Sequence, residues 1–279
     1  MMSAKVIKIV TDSIIQKLEE GTLPWKRPWA GGESGMPANF ISKKTYRGFN
    51  VFALALQGRG NPYWLTRNQI NQQGGEIRKG EKYTPIIFWG KKENKETGKE
   101  YSFQRFYQVW NLEQVNGIDY QEPVTDPNEW SPIKSAELIA EGYHLGPKVQ
   151  NGEPKAYYVP SRDVINMPKR ELFENPEGYY ATLFHEMGHS TGHKNRLNRD
   201  TLTDLCAFGS TNYSKEELVA EFSASMLCGI SGIENGVLDN SAAYIAGWLK
   251  RLRDDRQMIV SACAQAQKAV DYILKGEEA

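Results

Sequence analysis

The sequence predicts an α+β chain in two parts, an N-terminal α+β domain and a mainly helical domain with a small sheet. Three observations predict it. Two aromatic, β-branched runs in the first part flank a short charged loop, whereas most other segments carry apolar residues at helical spacing. A stretch rich in proline and turn-formers (QEPVTDPNEWSPI, 121–133) separates the two patterns. Charge divides at the same place. Residues 1–120 hold 18 Lys and Arg against 11 Asp and Glu, a balance of +7, and residues 121–279 hold 16 against 23, a balance of −7. The expected organisation is a domain over 1–122, a linker over 123–133 and a domain over 134–279.

The elements follow in order. Val6, Ile7, Val10, Ile14, Ile15 and Leu18 give residues 3–20 a helical period, which Gly21 and Pro24 end. Residues 21–39 are rich in Gly, Pro and Trp and read as irregular. A helix is expected over 48–57 and a short one over 64–75, with Thr66 as N-cap and Gly74-Gly75 as the stop. Residues 83–89 (YTPIIFW) and 101–110 (YSFQRFYQVW) are the two strand-like runs, and GKKENKETGKE is a hairpin loop. Beyond the linker come a helix over 134–142, strand-like pieces over 156–159 and 164–167, and a helix from Asn175-Pro176 to His193. A further helix runs from Ser214 to about Gly229, and a long terminal one from Asn240 to about Leu274. Asp163 and Asn166 read as ordinary turn and strand-edge residues.

Composition narrows the function. A net charge of zero excludes a uniformly basic nucleic-acid binder and an acidic disordered chain. The longest apolar run, 51–56, is far short of the ~18 residues that span a bilayer. The charged N-terminus does not read as a secretory signal. Three unpaired-looking cysteines (Cys206, Cys228, Cys263) favour a reducing compartment, the cytoplasm by default, and argue against a cysteine zinc site.

The strongest chemical signal is His185-Glu186-Met187-Gly188-His189, an H-E-x-x-H pattern in a helical segment. Residues i and i+4 differ by about 40° of helix rotation, so the two imidazoles face one point. Glu186, about 100° from His185, is placed to accept a proton from a water that a metal activates. Three of the chain's four histidines fall within nine residues here. A catalytic zinc needs a third protein ligand, and two routes are open. One is His193, two turns beyond His185 or free in direction if Gly192 ends the helix; a histidine at 195 is absent, the position being Asn195. The other is a glutamate from the helix after Ser214, where Glu217 and Glu221 stand four apart on one face. Glu217 is the natural ligand and Glu221 the partner of a ligand imidazole, but the reverse order is possible, and Ser214-x-x-Glu217 also reads as a capping box.

A second signal is weaker. The first part holds 17 of the 31 aromatics, interleaved with its positive charge. Aromatic faces stack on bases, and Lys and Arg follow phosphates, so a single strand fits such a surface better than a duplex. The same residues serve equally well as core and solvated face. The candidates for strand contact are Tyr46, Arg47, Asn50, Trp64, Arg78, Lys79, Lys82 and Trp89.

Several of these segments together resemble a known family. Leu23-Pro24-Trp25, Pro28-Trp29, Tyr46-Arg47-Gly48, Trp64-Leu65-Thr66 and Arg78-Lys79-Gly80-Glu81-Lys82 resemble the N-terminal domain of ArdC-type antirestriction proteins, which is similar to the N-terminal part of TraC-type plasmid primases. Tyr179 to Glu186, Thr191-Gly192-His193, Glu216 to Glu221 and Ala266 to Tyr272 resemble the metallopeptidase domain of the same family. The resemblance implies a protein of mobile elements whose first domain binds single-stranded DNA, such as a strand entering by conjugation. It implies a zincin-like second domain, with a possible protein or peptide substrate. Together they would protect incoming DNA from restriction. It favours His185, His189 and Glu217 around Zn²⁺, or another divalent metal, over the use of His193.

Overall fold

The computed structural model describes residues 2–21, 36–93, 98, 100–120, 132–203, 211–233 and 242–275. Helix α1 (Met2–Glu19) buries Ile7, Val10, Ile14 and Leu18 along one stripe and stops before Gly21, whose φ of 77° is left-handed. The irregular stretch expected next and the linker expected over 123–133 lie largely outside the described residues. Strand β1 (Ala38–Asn39) is followed by α2 (Phe49–Ala55), entered through Gly48 at φ 53° and ψ −130°. The segment expected as a helix from Trp64 divides in two. Trp64 and Leu65 are buried in strand β2 (Tyr63–Thr66), parallel to β1, and α3 (Arg67–Gln72) begins only after Thr66. Pairing of Trp64 with Asn111 and Leu65 with Trp110, neighbours remote in sequence, decides this. Thr66 closes a capping box with Gln69.

Strand β3 (Glu76–Ile77) precedes the expected hairpin of β4 (Thr84–Glu93) and β5 (Glu100–Asn111), which extends into the charged loop. Strand β6 (Val115–Asn116) pairs back with β3. The main sheet runs β1-β2-β5-β4, leaving β4 on an edge. The amide of Asn50 covers that edge, donating to the Ile87 carbonyl at 2.7 Å and accepting the Ile87 N–H at 2.9 Å.

The second part opens with α4 (Pro132–Gly142) and a sheet of β7 (Lys148–Gln150), β8 (Tyr157–Val159) and β9 (Val164–Asn166) in the order β7-β9-β8. Strand β7 was not expected; its residues are mostly exposed and show no apolar alternation. Helices α5 (Pro176–Ser190), α6 (Asp200–Thr203), α7 (Thr211–Ser231), α8 (Ala242–Asp254) and α9 (Gln257–Lys275) complete it. The single long terminal helix is thus two. Asp255 breaks it by accepting the Gln257 N–H on its carboxylate at 3.0 Å, and Arg256 turns to pair with Asp12 of α1. Helix α7 starts three residues before Ser214, which removes the capping-box reading of Ser214 and Glu217. Among the described residues no helix is long and apolar enough to cross a membrane. Cys228 and Cys263 are buried thiols whose burial pushes their pKa up; Cys206 lies outside the described residues.

One hydrophobic core runs through both parts. It joins Ile7, Val10, Ile14 and Phe52 of the first part to Phe184, Phe222, Trp248 and Ile259 of the second. The Phe52 and Phe222 rings lie 4.4 Å apart, centroid to centroid. Around this contact Arg47 pairs with Asp271, Arg253 with Glu19 and Arg256 with Asp12, and Gly48 N–H donates to Gln267 Oε1 at 2.8 Å. A core continuous across the chain makes the parts unfold together. Phe52→Ala is expected to lower stability by about 3–5 kcal/mol, in a single urea transition seen alike by tryptophan fluorescence and circular dichroism. Two separated transitions in the wild-type chain would contradict the shared core.

Candidate functional site

Helix α5 is built to present its last two turns. Asn175 caps it, its side chain accepting Gly178 N–H at 2.8 Å, and Pro176 occupies the first turn, where no N–H is needed. Tyr179, Tyr180, Leu183, Phe184 and Met187 bury its apolar side. His185 and His189 then project together, with Nε2 atoms 3.1 Å apart and rings edge to face. Helix α7 crosses α5 at Gly188. A Cβ there would lie 3.1 Å from Ala220 Cα and from Ser223 Cβ, so glycine allows this close approach. The approach delivers Glu217. Its carboxylate oxygens stand 3.6 Å from His185 Nε2 and 3.5 Å from His189 Nε2.

These three side chains form a set able to hold a metal ion. A tetrahedral ion with bonds of about 2.0–2.1 Å sets its ligands about 3.3 Å apart; the imidazole nitrogens are 3.1 Å apart, and Glu217 faces His185 with one oxygen and His189 with the other. The electrostatics agree. Burial alone would lower the basicity of both imidazoles, but the carboxylates of Glu217, Glu221 and Glu186 push His185 up to about 10. His189 is raised as well, chiefly by Glu217 and by its hydrogen bond to Glu216. The pocket therefore favours positive charge, and its imidazole and carboxylate donors suit a divalent ion. His185 and Glu217 keep 18% and 24% of their side-chain surface exposed, so the cluster is not sealed from solvent. Glu186 is nearly buried on the same helix, and its charge acts on both imidazoles.

The structure does not bring His193 to this cluster. Helix α5 ends at Ser190, and His193 is buried in the following turn with Nδ1 accepting the Asn195 N–H. Glu221 is buried close enough for its charge to raise His185, but His185 Nδ1 has no hydrogen-bond partner among the described residues. The carboxylate that binds a ligand imidazole is Glu216, at 3.4 Å from His189 Nδ1. Sequence reasoning missed it. Glu216 is fixed by Arg199, whose guanidinium grips both its oxygens, and by Thr201 Oγ1 at 2.5 Å. Despite burial, the His189 hydrogen bond and Arg199 draw the Glu216 carboxyl down to about 2. Arg199 also donates to the Gly188 carbonyl at 2.8 Å and to Thr191 Oγ1 at 2.6 Å, tying down the end of α5. Gly192 leaves it room, since a Cβ there would sit 2.8 Å from the guanidinium. The available signal was the rule that a metal-binding imidazole gives its other N–H to a carboxylate; spacing alone did not choose among Glu216, Glu217 and Glu221.

Strand β9 lies between two partners and has no open edge. Asn166 accepts Gly152 and Glu153 N–H groups and donates to the Lys155 carbonyl from the central strand, not from an edge, and Asp163 pairs with Arg196.

The candidate strand contacts are scattered. Trp64 is 2% exposed and presents no ring face to solvent. Asn50 is occupied by the β4 edge, and Arg47 by Asp271. Tyr46 is half-buried against the core. Arg78 is exposed but pairs with Glu81, while Lys79 and Lys82 are exposed on the surface. Trp89 is 53% exposed on β4.

Two segments of the chain match known families. Residues 4–110 match the N-terminal domain of anti-restriction factor ArdC, and residues 136–265 match a zincin-like metallopeptidase domain. The chain is 36% identical, over 96% of its length, to a DNA primase TraC of Escherichia coli, and spans only 27% of that protein. It is 33% identical to the uncharacterized protein y4eC of Sinorhizobium fredii, covering 95% of this chain and 90% of that one. Crystal structures of the antirestriction protein ArdC from plasmid R388, metal-free and Mn(II)-bound, are similar with a TM-score of 0.76. They are 35% and 34% identical, with 97% of both chains covered.

Metal and protons compete for the same imidazole nitrogens, and the carboxylates here raise the affinity of both sites for protons. Divalent-metal affinity is therefore expected to strengthen as pH rises, by about tenfold per pH unit for each proton displaced; titration calorimetry at several pH values checks this, and a flat profile would contradict it. Glu216→Ala is expected to weaken metal binding by about 10–100-fold, measured by competition with a chromophoric chelator.

Proposed function

The chain belongs to the ArdC antirestriction family, and from that premise we propose that it binds single-stranded DNA with its first part and carries a zinc-dependent peptidase-type site in its second. It would act in the cytoplasm to protect incoming mobile-element DNA from restriction. The observation that carries the peptidase reading is the convergence of His185, His189 and Glu217, with Glu186 beside them.

His185 and His189, through Nε2, and Glu217, through its carboxylate, would hold the metal. When bound, the ion supplies Lewis acidity, lowering the pKa of a water and polarising a scissile carbonyl. Glu186 accepts the proton of the attacking water on its carboxylate and passes it to the leaving amine. Its position one residue after His185 directs it toward the cluster without making it a ligand. Glu216 would hold the Nδ1–H of His189, leaving its Nε2 for the metal. Arg199 keeps Glu216 ionised and in place.

A second reading is a strand-handling module that masks DNA, with the metal site serving the fold, or that serves a priming machine. Matching of almost the whole chain to about a quarter of a much longer primase favours it. The full chain is the proper test object, because separating the parts would expose the shared core. Glu186→Ala is expected to keep its metal and lose proteolysis of its target by about 10²–10⁴-fold. Restriction of entering DNA should rise with that loss. Undiminished protection by this variant, with metal bound, would favour masking.

A further inference from the structure

The β4–β5 hairpin outgrows the body of the protein. Ile86 and Ile87 are buried on its two faces, Ile86 with Leu54 and Val109 and Ile87 in the main core. One step further out, Phe88 is 50% exposed, and Tyr107 on the facing strand is 38% exposed. The register pairs Ile86 with Tyr107, Phe88 with Arg105 and Gly90 with Phe103. Strand alternation therefore sets Phe88, Phe103, Arg105 and Tyr107 on one face. Phe88 lies 6.2 Å, ring to ring, from both Phe103 and Tyr107, and the Arg105 guanidinium stands 5.3 Å from the Phe103 ring. Gly90 makes room for the half-buried Phe103 ring, which lies over it where a Cβ would meet the ring at 2.5 Å. Trp89 and Lys91 project from the opposite face.

The exposed rings of Phe88 and Tyr107, continued by the half-buried Phe103, make a patch of the kind that marks a binding surface. The kind of partner follows from charge. The patch carries Arg105 and belongs to the half of the chain with a balance of +7, so its complement is a polyanion that also has flat apolar faces. Rings standing up from a sheet can stack only on bases already unstacked, which excludes an intact duplex.

We propose that the face formed by Phe88, Phe103, Arg105 and Tyr107 is a base-stacking platform for single-stranded nucleic acid, with Arg105 meeting a phosphate. The proposal rests on the strand-binding reading above and places the strand on the hairpin rather than on Trp64, Asn50 or Arg47. Trp64 is part of the core, Asn50 covers the β4 edge, and Arg47 pairs with Asp271 at the contact between the two parts.

The test uses the full chain and fluorescence anisotropy with labelled oligo(dT) and a duplex of equal length, over a range of salt. Phe88→Ala combined with Phe103→Ala and Tyr107→Ala is expected to weaken oligo(dT) binding by about 100-fold or more. Arg105→Gln is expected to lower the salt slope by about 0.7, the value for one phosphate of a single strand. Leu172→Ala, which removes an apolar side chain 64% exposed in the second part, should leave binding unchanged. If the triple variant proves insoluble, Phe88→Ala alone is expected to cost about tenfold. Oligo(dT) binding by the wild type that survives these substitutions with an unchanged salt slope overturns the platform and leaves the strand-binding reading standing. Absence of oligo(dT) binding by the wild type overturns that reading itself. Equal affinity for the duplex overturns the stacking mechanism.

Discussion

The close passage of α7 over α5 at Gly188 is the constraint on which the rest depends. Ala220 and Ser223 are fully buried there, and the backbones meet because position 188 has no Cβ. Ligand spacings must hold to a few tenths of an ångström for an ion to be bound. Displacement of α7 by a methyl group's width would take Glu217 out of reach of both imidazoles. The same helix carries Phe222 onto Phe52, so a shift at Gly188 is also felt where the first part docks. Helix α7 thus links the site to the core that unites the chain.

The docking itself gives a different meaning to two segments that look unrelated in sequence. Arg47-Gly48 at the start of α2 and Gln267 and Asp271 on α9 bind one another, through an ion pair and a hydrogen bond to the Gly48 N–H. Arg253 with Glu19 and Arg256 with Asp12 extend the contact along α1. These exposed pairs each contribute little by themselves. Their role is to set the orientation of a contact whose stability comes from the buried apolar side chains beneath.

Around the metal-binding set, charge is arranged in layers. Glu217 and Glu186 face the imidazoles, Glu216 lies behind His189, and Arg199 lies behind Glu216. A carboxylate as buried as Glu216 would be costly without a cation, and Arg199 supplies one while also binding the carbonyls at the end of α5. One arginine thereby stabilises the helix end, the carboxylate and the orientation of a ligand histidine. All three of its nitrogens donate to acceptors at this junction.

Local chemistry in the sequence determined the α+β character, the hairpin, the Thr66 cap, the helix start at Asn175-Pro176 and the pairing of His185 with His189. Each of these depends on neighbours within a few residues, where helix and strand periods act directly. Glu217 was legible for the same reason, as an acidic residue on a helix with small flanking side chains. Tertiary structure alone decided that Trp64 is core, that Arg47 pairs with Asp271, that Asn50 covers a strand edge and that Glu216, held by Arg199, binds His189. It also decided which aromatics stay at the surface. Those outcomes depend on which remote residue arrives opposite, and burial and hydrogen-bond partners between distant segments leave no period in the chain.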